Sequence, residues 1–152
     1  MMTLPRFHLA FPVNDLFKAR EFYSEVLGCG IGRHSDKWMD FNLYGHQIVA
    51  HLSPEDCAMI KSNEVDGDSI PSRHFGVILT WGKWEELINV LKKKQVEFLI
   101  QPRIRFKNKN GEQGTFFIND PSGNVLEFKS FKNDTMIFQE EDLKNVKNNF
   151  ST

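Results

Sequence analysis

The residues with the clearest chemical potential in this sequence are two histidines and a glutamate in short apolar runs. His8 lies near the start of the chain, His74 lies in a similar run near the middle, and Glu127 follows a turn at 120–124. Imidazoles and a carboxylate suit a divalent metal, and two His with one carboxylate are typical of non-haem Fe(II) oxygenases. A glutamate inside an apolar strand is costly to bury unless a cation pairs with it. Together these residues predict a metal site.

The alternation of residue types predicts which of these side chains share a face. Successive side chains of a strand point to opposite faces of a sheet. A single histidine is usually an ordinary core or surface residue, but several on one face beside a glutamate favour a metal site. Alternation in four predicted strands places these residues opposite the apolar face: His8, His51, His74 and Glu127. His34 and His46 are predicted to lie in solvated turns.

A repeated pattern supplies the elements that position these residues. Each histidine-containing run is followed by apolar residues at helical spacing and then by several strand-like runs. This recurrence predicts two βαβββ modules of similar length. The predicted boundaries are a first module at 6–52, a linker loop at 53–72, a second module at 73–131 and a polar C-terminal tail at 132–152.

Capping residues and apolar stripes define the two predicted helices. Asn14 or Asp15 suits the N-cap of the first helix, and Gly28 suits the left-handed residue after its end. Phe22 belongs to the apolar stripe of the first helix and Leu87 to that of the second. We therefore expect these two side chains to be buried between the helices and the apolar faces of the strands.

Composition bounds the class of protein and its partners. A net charge of −1 and a pI near 6.5 provide no basic surface for nucleic acid or anionic lipid. No apolar run has the length of a transmembrane helix. Cys29 and Cys57 are too few for a disulfide framework or a cysteine-rich zinc site, so we expect two thiols in a reducing, cytoplasmic compartment. The expected partner is a small-molecule substrate.

Polar and aromatic residues on the same predicted face are candidates for substrate binding. The candidates are Trp38, Asp40, Asn42, Gln47, Gln113, Thr115 and Phe117. The alternative is that they are ordinary residues of a strand surface. Arg103 and Arg105 offer bidentate contacts to a substrate carboxylate or enolate, although solvated edge-strand arginines are the simpler interpretation.

Four sequence motifs resemble the vicinal oxygen chelate superfamily over about residues 6–131. They are the opening strand with His8, the Asp-Leu-x₃-Arg-x-Phe-Tyr-x₃-Leu-Gly pattern of 15–28, the run 74–77, and the Asp-Pro-x-Gly-Asn-x-Leu-Glu pattern of 120–127. The superfamily includes glyoxalase I, extradiol dioxygenases, fosfomycin-resistance thiol transferases, methylmalonyl-CoA epimerase and bleomycin-binding proteins. The motifs are specific for the superfamily and much less specific for one reaction.

The resemblance implies an α+β fold and a set of metal ligands. Paired βαβββ modules would form a cupped, mostly antiparallel eight-stranded sheet with helices on its outer face and a divalent ion on its concave floor. His8, His74 and Glu127 match the ligand positions. The resemblance places His51 at a further site, where glyoxalase I usually has a catalytic glutamate, so His51 is predicted to be a fourth ligand or an acid–base residue.

The resemblance leaves two classes of function open. The first is a metal-dependent enzyme that chelates adjacent oxygens of a small substrate, with extradiol ring cleavage favoured and a glyoxalase- or epimerase-like lyase or isomerase as the alternative. Fe(II) is the favoured metal, with Mn, Ni and Zn as alternatives. The second class is a non-catalytic protein that binds a small molecule or antibiotic. A homodimer is expected, and the two modules either close on each other or complete sites with a second chain.

Overall fold

The first half of the chain forms a four-stranded sheet. The computed structural model describes residues 3–57, 62–65 and 67–139. The four strands are β1 (His8–Val13), β2 (Gly30–His34), β3 (Trp38–Leu43) and β4 (His46–Leu52). They pair in the order β1-β4-β3-β2, with β1 parallel to β4 and the other neighbours antiparallel.

The second half contains a short hairpin and a second four-stranded sheet. The hairpin consists of β5 (Ser62–Val65) and β6 (Asp68–Pro71). The sheet consists of β7 (Ile78–Leu79), β8 (Phe98–Arg105), β9 (Gln113–Asn119) and β10 (Val125–Phe131). Its order is β7-β10-β9-β8, with β7 parallel to β10. The predicted α+β fold of paired, mostly antiparallel βαβββ modules is confirmed, with its eight strands divided into two sheets of four.

One helical segment follows the first strand of each module. Asp15 caps α1 (Leu16–Arg20) by accepting a hydrogen bond from the Lys18 N–H at 3.0 Å, and the chain continues as a π-helix over Glu21–Val26. Gly28 ends this segment at a φ of 74°, where glycine avoids the strain of a Cβ. The second module has α2 (Trp81–Lys93), and short 3₁₀ turns occur at Pro54–Asp56 and Asp134–Met136. None of the helices in the described ranges is both long and apolar enough to cross a membrane.

The two modules share one hydrophobic core. Phe22 and Leu87 are buried in it as the helical stripes predict. The cluster runs without interruption from the first sheet to the second, through Tyr23, Phe41, Leu91, Phe116 and Phe128. Because the helix-covered faces of both sheets meet in this core, the opposite faces, which carry the candidate histidines, point away from it.

Polar contacts reinforce the junction between the modules. Tyr23 donates a buried hydrogen bond to Asp120 Oδ2 at 2.8 Å, and Asn124 donates to the Pro12 carbonyl at 2.8 Å. Burial raises the pKa of both Tyr23 and Asp120. The junction therefore contains an ionisable pair that is shielded from solvent.

Three local expectations were wrong. The segment 53–72 is not a simple loop, because it contains the 3₁₀ turn and the β5–β6 hairpin. His46 begins β4 and its Nδ1 accepts a hydrogen bond from the Phe7 N–H at 3.0 Å, while His34 ends β2. The predicted strand that contains His74 is reduced to β7 and a single bridge between Phe75 and Leu126.

Candidate functional site

The second module brings His74 and Glu127 into contact. The bridge between Phe75 and Leu126 aligns the two segments, so that His74 and Glu127 lie on adjacent backbones. Gly76 permits this approach, since a Cβ at that position would lie 1.6 Å from the Glu127 carbonyl oxygen. His74 Nε2 lies 3.1 Å from Glu127 Oε2. The imidazole Nε2 and the carboxylate Oε2 therefore face each other.

A backbone contact determines which nitrogen of His74 is available. His74 Nδ1 lies 2.8 Å from the Pro71 carbonyl oxygen, which can only accept a hydrogen bond. Nδ1 therefore carries a proton, and in the neutral ring Nε2 presents its lone pair to Glu127. Metal-binding histidines characteristically donate their other N–H to a carbonyl or carboxylate in this way. The donor set and its geometry fit a divalent cation.

Glu127 is oriented by groups on its own strand, β10, and on the neighbouring strand β9. Thr115 on β9 donates to Glu127 Oε1 at 2.7 Å, and Lys129 Nζ lies 3.8 Å from the same oxygen. The ring of Phe117 meets the ring of His74 edge-on at 5.2 Å. Glu127 is largely shielded from water, with 13% of its side chain exposed, and its second oxygen, Oε2, faces His74. Two predicted substrate-binding residues, Thr115 and Phe117, therefore contact the predicted metal ligands.

The first module holds His8 through a chain of polar side chains. His8 Nδ1 lies 2.8 Å from Gln47 Oε1, and Gln47 Nε2 donates to Asp40 Oδ2 at 3.1 Å. Arg33 Nε lies 3.6 Å from the same Asp40 oxygen. Because the Gln47 amide donates to Asp40, its oxygen faces His8 and accepts the Nδ1 proton. His8 Nε2 is then the nitrogen with a free lone pair, as in His74.

This series of polar contacts was not predicted from the sequence. Asp40 and Gln47 were predicted as substrate-binding residues, and their observed contacts are with each other and with His8. Arg33 was not predicted at all. Alternation along β3 and β4 placed Asp40 and Gln47 on the correct face, but cross-strand pairing, which alternation does not reveal, brings them together.

The strand register changes the interpretation of His51. In the second module the residue after His74 pairs with Leu126, one position before Glu127. In the first module the residue after His8 pairs with Ile48, so Val49 occupies the place of Glu127. His51 lies two residues further along, at the place of Lys129, and is exposed.

The two histidines line separate cavities. A cavity of about 600 Å³ is lined by His8, Asp40 and Gln47, and one of about 430 Å³ is lined by His74, Cys57 and residues of β1. Within the part of the chain that the structure describes, no group of three or more His, Cys, Asp or Glu side chains is arranged to hold a metal ion. The predicted ligands therefore form two partial sets in one chain, His74 with Glu127 and His8 alone.

The remaining predicted residues are dispersed along the strands. The guanidinium of Arg33 lies 6.0 Å from the centre of the Trp38 ring, and Trp38 pairs with His51. Asn42 Oδ1 accepts a hydrogen bond from the Gly45 N–H at 2.6 Å and so supports the β3–β4 turn. Gln113 begins β9, where it pairs with Phe131.

Comparison with known proteins identifies the fold and its relatives. The model of the Glyoxalase/Bleomycin resistance protein/Dioxygenase superfamily matches residues 7–128. A protein of that description from Alicyclobacillus acidocaldarius is 35% identical, with a TM-score of 0.74 over 88% of this chain and 96% of that one.

More distant structures share the fold alone. The fosfomycin resistance protein FosX from Listeria monocytogenes is 16% identical, with a TM-score of 0.62 over 85% of this chain and 94% of that one. Lactoylglutathione lyase from Agrobacterium tumefaciens is 15% identical, with a TM-score of 0.58 over 83% of this chain and 92% of that one. No functionally curated protein matches the sequence.

Proposed function

Because the chain belongs to the Glyoxalase/Bleomycin resistance protein/Dioxygenase superfamily, we propose that it is a metal-dependent enzyme acting on a small substrate with two adjacent oxygens. The metal ligands are His74 and Glu127 of one chain and His8 of a second copy. The favoured reaction is extradiol cleavage of a catechol-type ring by O₂, with Fe(II) as the metal. Mn, Ni or Zn would accompany the alternative, a lyase or isomerase.

The observation that supports this proposal is that His8 and His74 have the same ring nitrogen, Nε2, available to bind a metal. Each has its Nδ1 against an oxygen acceptor at 2.8 Å, the Gln47 amide for His8 and the Pro71 carbonyl for His74. Each therefore keeps Nε2 for a cation. His74 Nε2 also converges with Glu127 Oε2 at 3.1 Å, where two lone pairs repel each other unless a proton or a cation lies between them. A divalent ion satisfies both atoms.

The arrangement of the modules supports a site shared by two chains. The helix-covered faces of both sheets share one core, so the faces that carry His8 and His74 point away from it. A twofold-symmetric dimer would place the first module of one copy against the second module of the other. Each dimer would then contain two sites, each with His8 from one copy and the His74–Glu127 pair from the other.

The ligand set favours ring cleavage over glyoxalase-type chemistry. Val49 stands at the first-module place that corresponds to Glu127, so that place has no carboxylate to act as ligand or base. A site with two His and one carboxylate keeps open positions for a bidentate substrate and O₂. When bound, the metal ion would supply Lewis acidity toward the two substrate oxygens.

Side chains beside the proposed ligands have roles in binding and proton transfer. His51 is exposed on β4 and can accept the proton of a substrate hydroxyl. Trp38 pairs with it across β3 and offers an aromatic surface for a ring. Thr115 holds Glu127 by a hydrogen bond, and Lys129 places a positive charge beside it that favours an anionic form of the substrate.

Metal analysis followed by a substrate screen tests the proposal. Protein purified without oxygen and supplied with Fe(II) is expected to retain one metal per chain and to consume O₂ with catechol-type substrates. The formation of a ring-cleaved product would be followed by its absorbance. Protein that retains no divalent metal under any loading condition would contradict the metal site.

Two other outcomes would redirect the reaction while keeping the family. Stoichiometric metal with isomerisation of a substrate, and no O₂ uptake, would favour the lyase or isomerase. Tight binding of a small molecule without turnover in the metal-loaded protein would favour a binding protein.

A further inference from the structure

The β5–β6 hairpin is fastened to the second sheet beside the His74–Glu127 pair. Asp68, at the start of β6, forms an ion pair with Arg103 on β8. Arg103 pairs in register with Thr115 on β9, so these two side chains share the face of the sheet that carries Glu127. The ion pair therefore joins the hairpin to the face of the sheet on which the proposed metal ligands lie.

An apolar contact places the hairpin on the same face. Ile70 of β6 packs against a small cluster formed by Ile100, Phe117 and Val125, which is separate from the main core. Phe117 is also the residue that meets the His74 ring edge-on. β6 therefore lies over the face of the second sheet that carries Glu127.

The last residue of β6 contacts His74 directly. Pro71 ends the strand three residues after Asp68, and its carbonyl oxygen accepts the Nδ1 proton of His74 at 2.8 Å. The position of that carbonyl depends on where β6 lies, and β6 is held by the contacts of Asp68 and Ile70. Arg103 is therefore connected to Glu127 by two routes. One runs through β6 and His74, and the other runs through Thr115, which pairs with Arg103 and donates to Glu127.

The ion pair is poorly explained as a device for stability. Its side chains are 30% and 36% exposed, and pairs of this kind contribute little to folding. Arg103 Nε is buried and has no hydrogen-bond partner among the described residues, which is a cost rather than a gain. A role in positioning gives a reason for Arg103 to be held in this place.

We propose that Asp68 and Arg103 are positioning residues: by holding β6 against the second sheet, their ion pair keeps the Pro71 carbonyl on His74 Nδ1. This contact keeps the ring in the tautomer whose Nε2 can bind a metal. The inference rests on the proposed function for the consequence in metal binding, and on the geometry of the chain alone for the tautomer.

Two measurements on matched variants test this inference. Two-bond ¹H–¹⁵N spectra of protein labelled at histidine report the tautomer of His74, assigned by comparison with His74→Ala. Calorimetric titration with Co²⁺ reports metal affinity. The variants are Asp68→Asn, Arg103→Gln and the double variant, and the control is Lys107→Gln, which removes an exposed positive charge two residues beyond the end of β8.

The expected result is a change in tautomer that the control does not share. Wild type and Lys107→Gln should show His74 protonated at Nδ1. Asp68→Asn and Arg103→Gln should each show loss of that state and about 10-fold weaker Co²⁺ binding, a size typical of groups that orient a ligand. The double variant should lose no more than either single variant, because both changes break one ion pair.

The outcomes separate this inference from the proposed function. Wild-type tautomer and affinity in both single variants would overturn the inference, even if their melting temperatures fell. If wild type itself does not bind Co²⁺, the proposed function fails, and the tautomer of the variants still decides this inference. If a single variant does not fold, the other single variant decides it.

Discussion

The two modules have the same order of elements but differ in what stands beside their histidines. In the second module His74 meets Glu127 at 3.1 Å, and Thr115 holds the carboxylate. In the first module the corresponding place is Val49, and His8 instead contacts Gln47. The second module thus contains a pair of proposed ligands in contact, and the first module contains a single proposed ligand that is held by a polar side chain.

This difference is the basis of the proposal that a complete site combines parts of two copies of the chain. The second module can offer an imidazole and a carboxylate without any contribution from the first. The first module supplies one imidazole, whose orientation depends on Asp40 and Arg33 through Gln47. Among the described residues neither half contains all three proposed ligands, so a complete site requires the two unlike halves to meet.

The largest expected effect is the loss of metal when any proposed ligand is removed. His8→Ala, His74→Ala and Glu127→Ala should each abolish stoichiometric metal binding while the fold remains intact, because two ligands hold a divalent ion much less tightly than three. Elemental analysis and circular dichroism measure both properties. His34→Ala is the matched control, since His34 is exposed and its Nδ1 lies 3.3 Å from the Gly32 carbonyl oxygen two residues away. Full metal content in a triple variant of the proposed ligands would refute the assignment.

The next largest effect concerns His51, which stands at the place of Lys129 in the other module. If it transfers protons, His51→Ala should retain the metal and lose turnover by about 10²- to 10⁴-fold. If it is a fourth ligand, the same change should weaken metal affinity instead. Metal titration and steady-state kinetics on a confirmed substrate distinguish the two. Unchanged affinity with unchanged turnover would leave His51 without either role.

A third effect tests whether the helices of the two modules are equivalent in packing. Phe22→Ala and Leu87→Ala should each lower the free energy of unfolding by about 2–5 kcal/mol, since both side chains are buried in the shared core. Urea denaturation measures the change. Phe17→Ala is the control, because Phe17 is 67% exposed on α1 and should change stability by less than about 0.5 kcal/mol. Losses of that small size at Phe22 or Leu87 would contradict the burial.

The smallest expected effect is a decrease in the free energy of unfolding at alkaline pH, which originates at Cys29 in the first module. Burial raises the pKa of Cys29 from 9.0 to about 12. Above pH 9 the unfolded thiol loses its proton while the folded one keeps it, so stability falls as pH rises through this window. Cys29 should account for about 2 kcal/mol of the loss by pH 10.5, at 1.36 kcal/mol per pH unit. Urea denaturation of Cys29→Ala should show a correspondingly smaller loss, and an equal loss in wild type and variant would refute this origin.

Sequence patterns predicted the elements and faces better than the contacts. Alternation placed His8 and Glu127 on the face away from the helices, and the Asp15 cap and Gly28 marked both ends of the first helical segment. Alternation describes one strand at a time, so it did not reveal that Val49 rather than His51 corresponds to Glu127.

Other features depend on contacts between segments that are distant in sequence. The β5–β6 hairpin was predicted as part of a loop because its sequence is polar and rich in turn-forming residues, while the hairpin contacts Arg103 in β8 through Asp68. The chain of polar contacts from Arg33 to His8 likewise spans four strands, β2, β3, β4 and β1. How the two modules face each other depends on the shared core, which periodicity does not describe.

A mixing experiment tests the central claim, that each site combines unlike halves from two copies. His8→Ala and His74→Ala proteins would be unfolded together, refolded as a mixture, and their metal content measured against each protein refolded alone. If sites are shared, half of the dimers pair one copy of each variant, and each such dimer has one complete site. The mixture should then recover about a quarter of the wild-type metal content, although neither variant alone binds it. Metal content that stays at the level of the separate variants, in a mixture shown by mass spectrometry to contain mixed dimers, would contradict the claim.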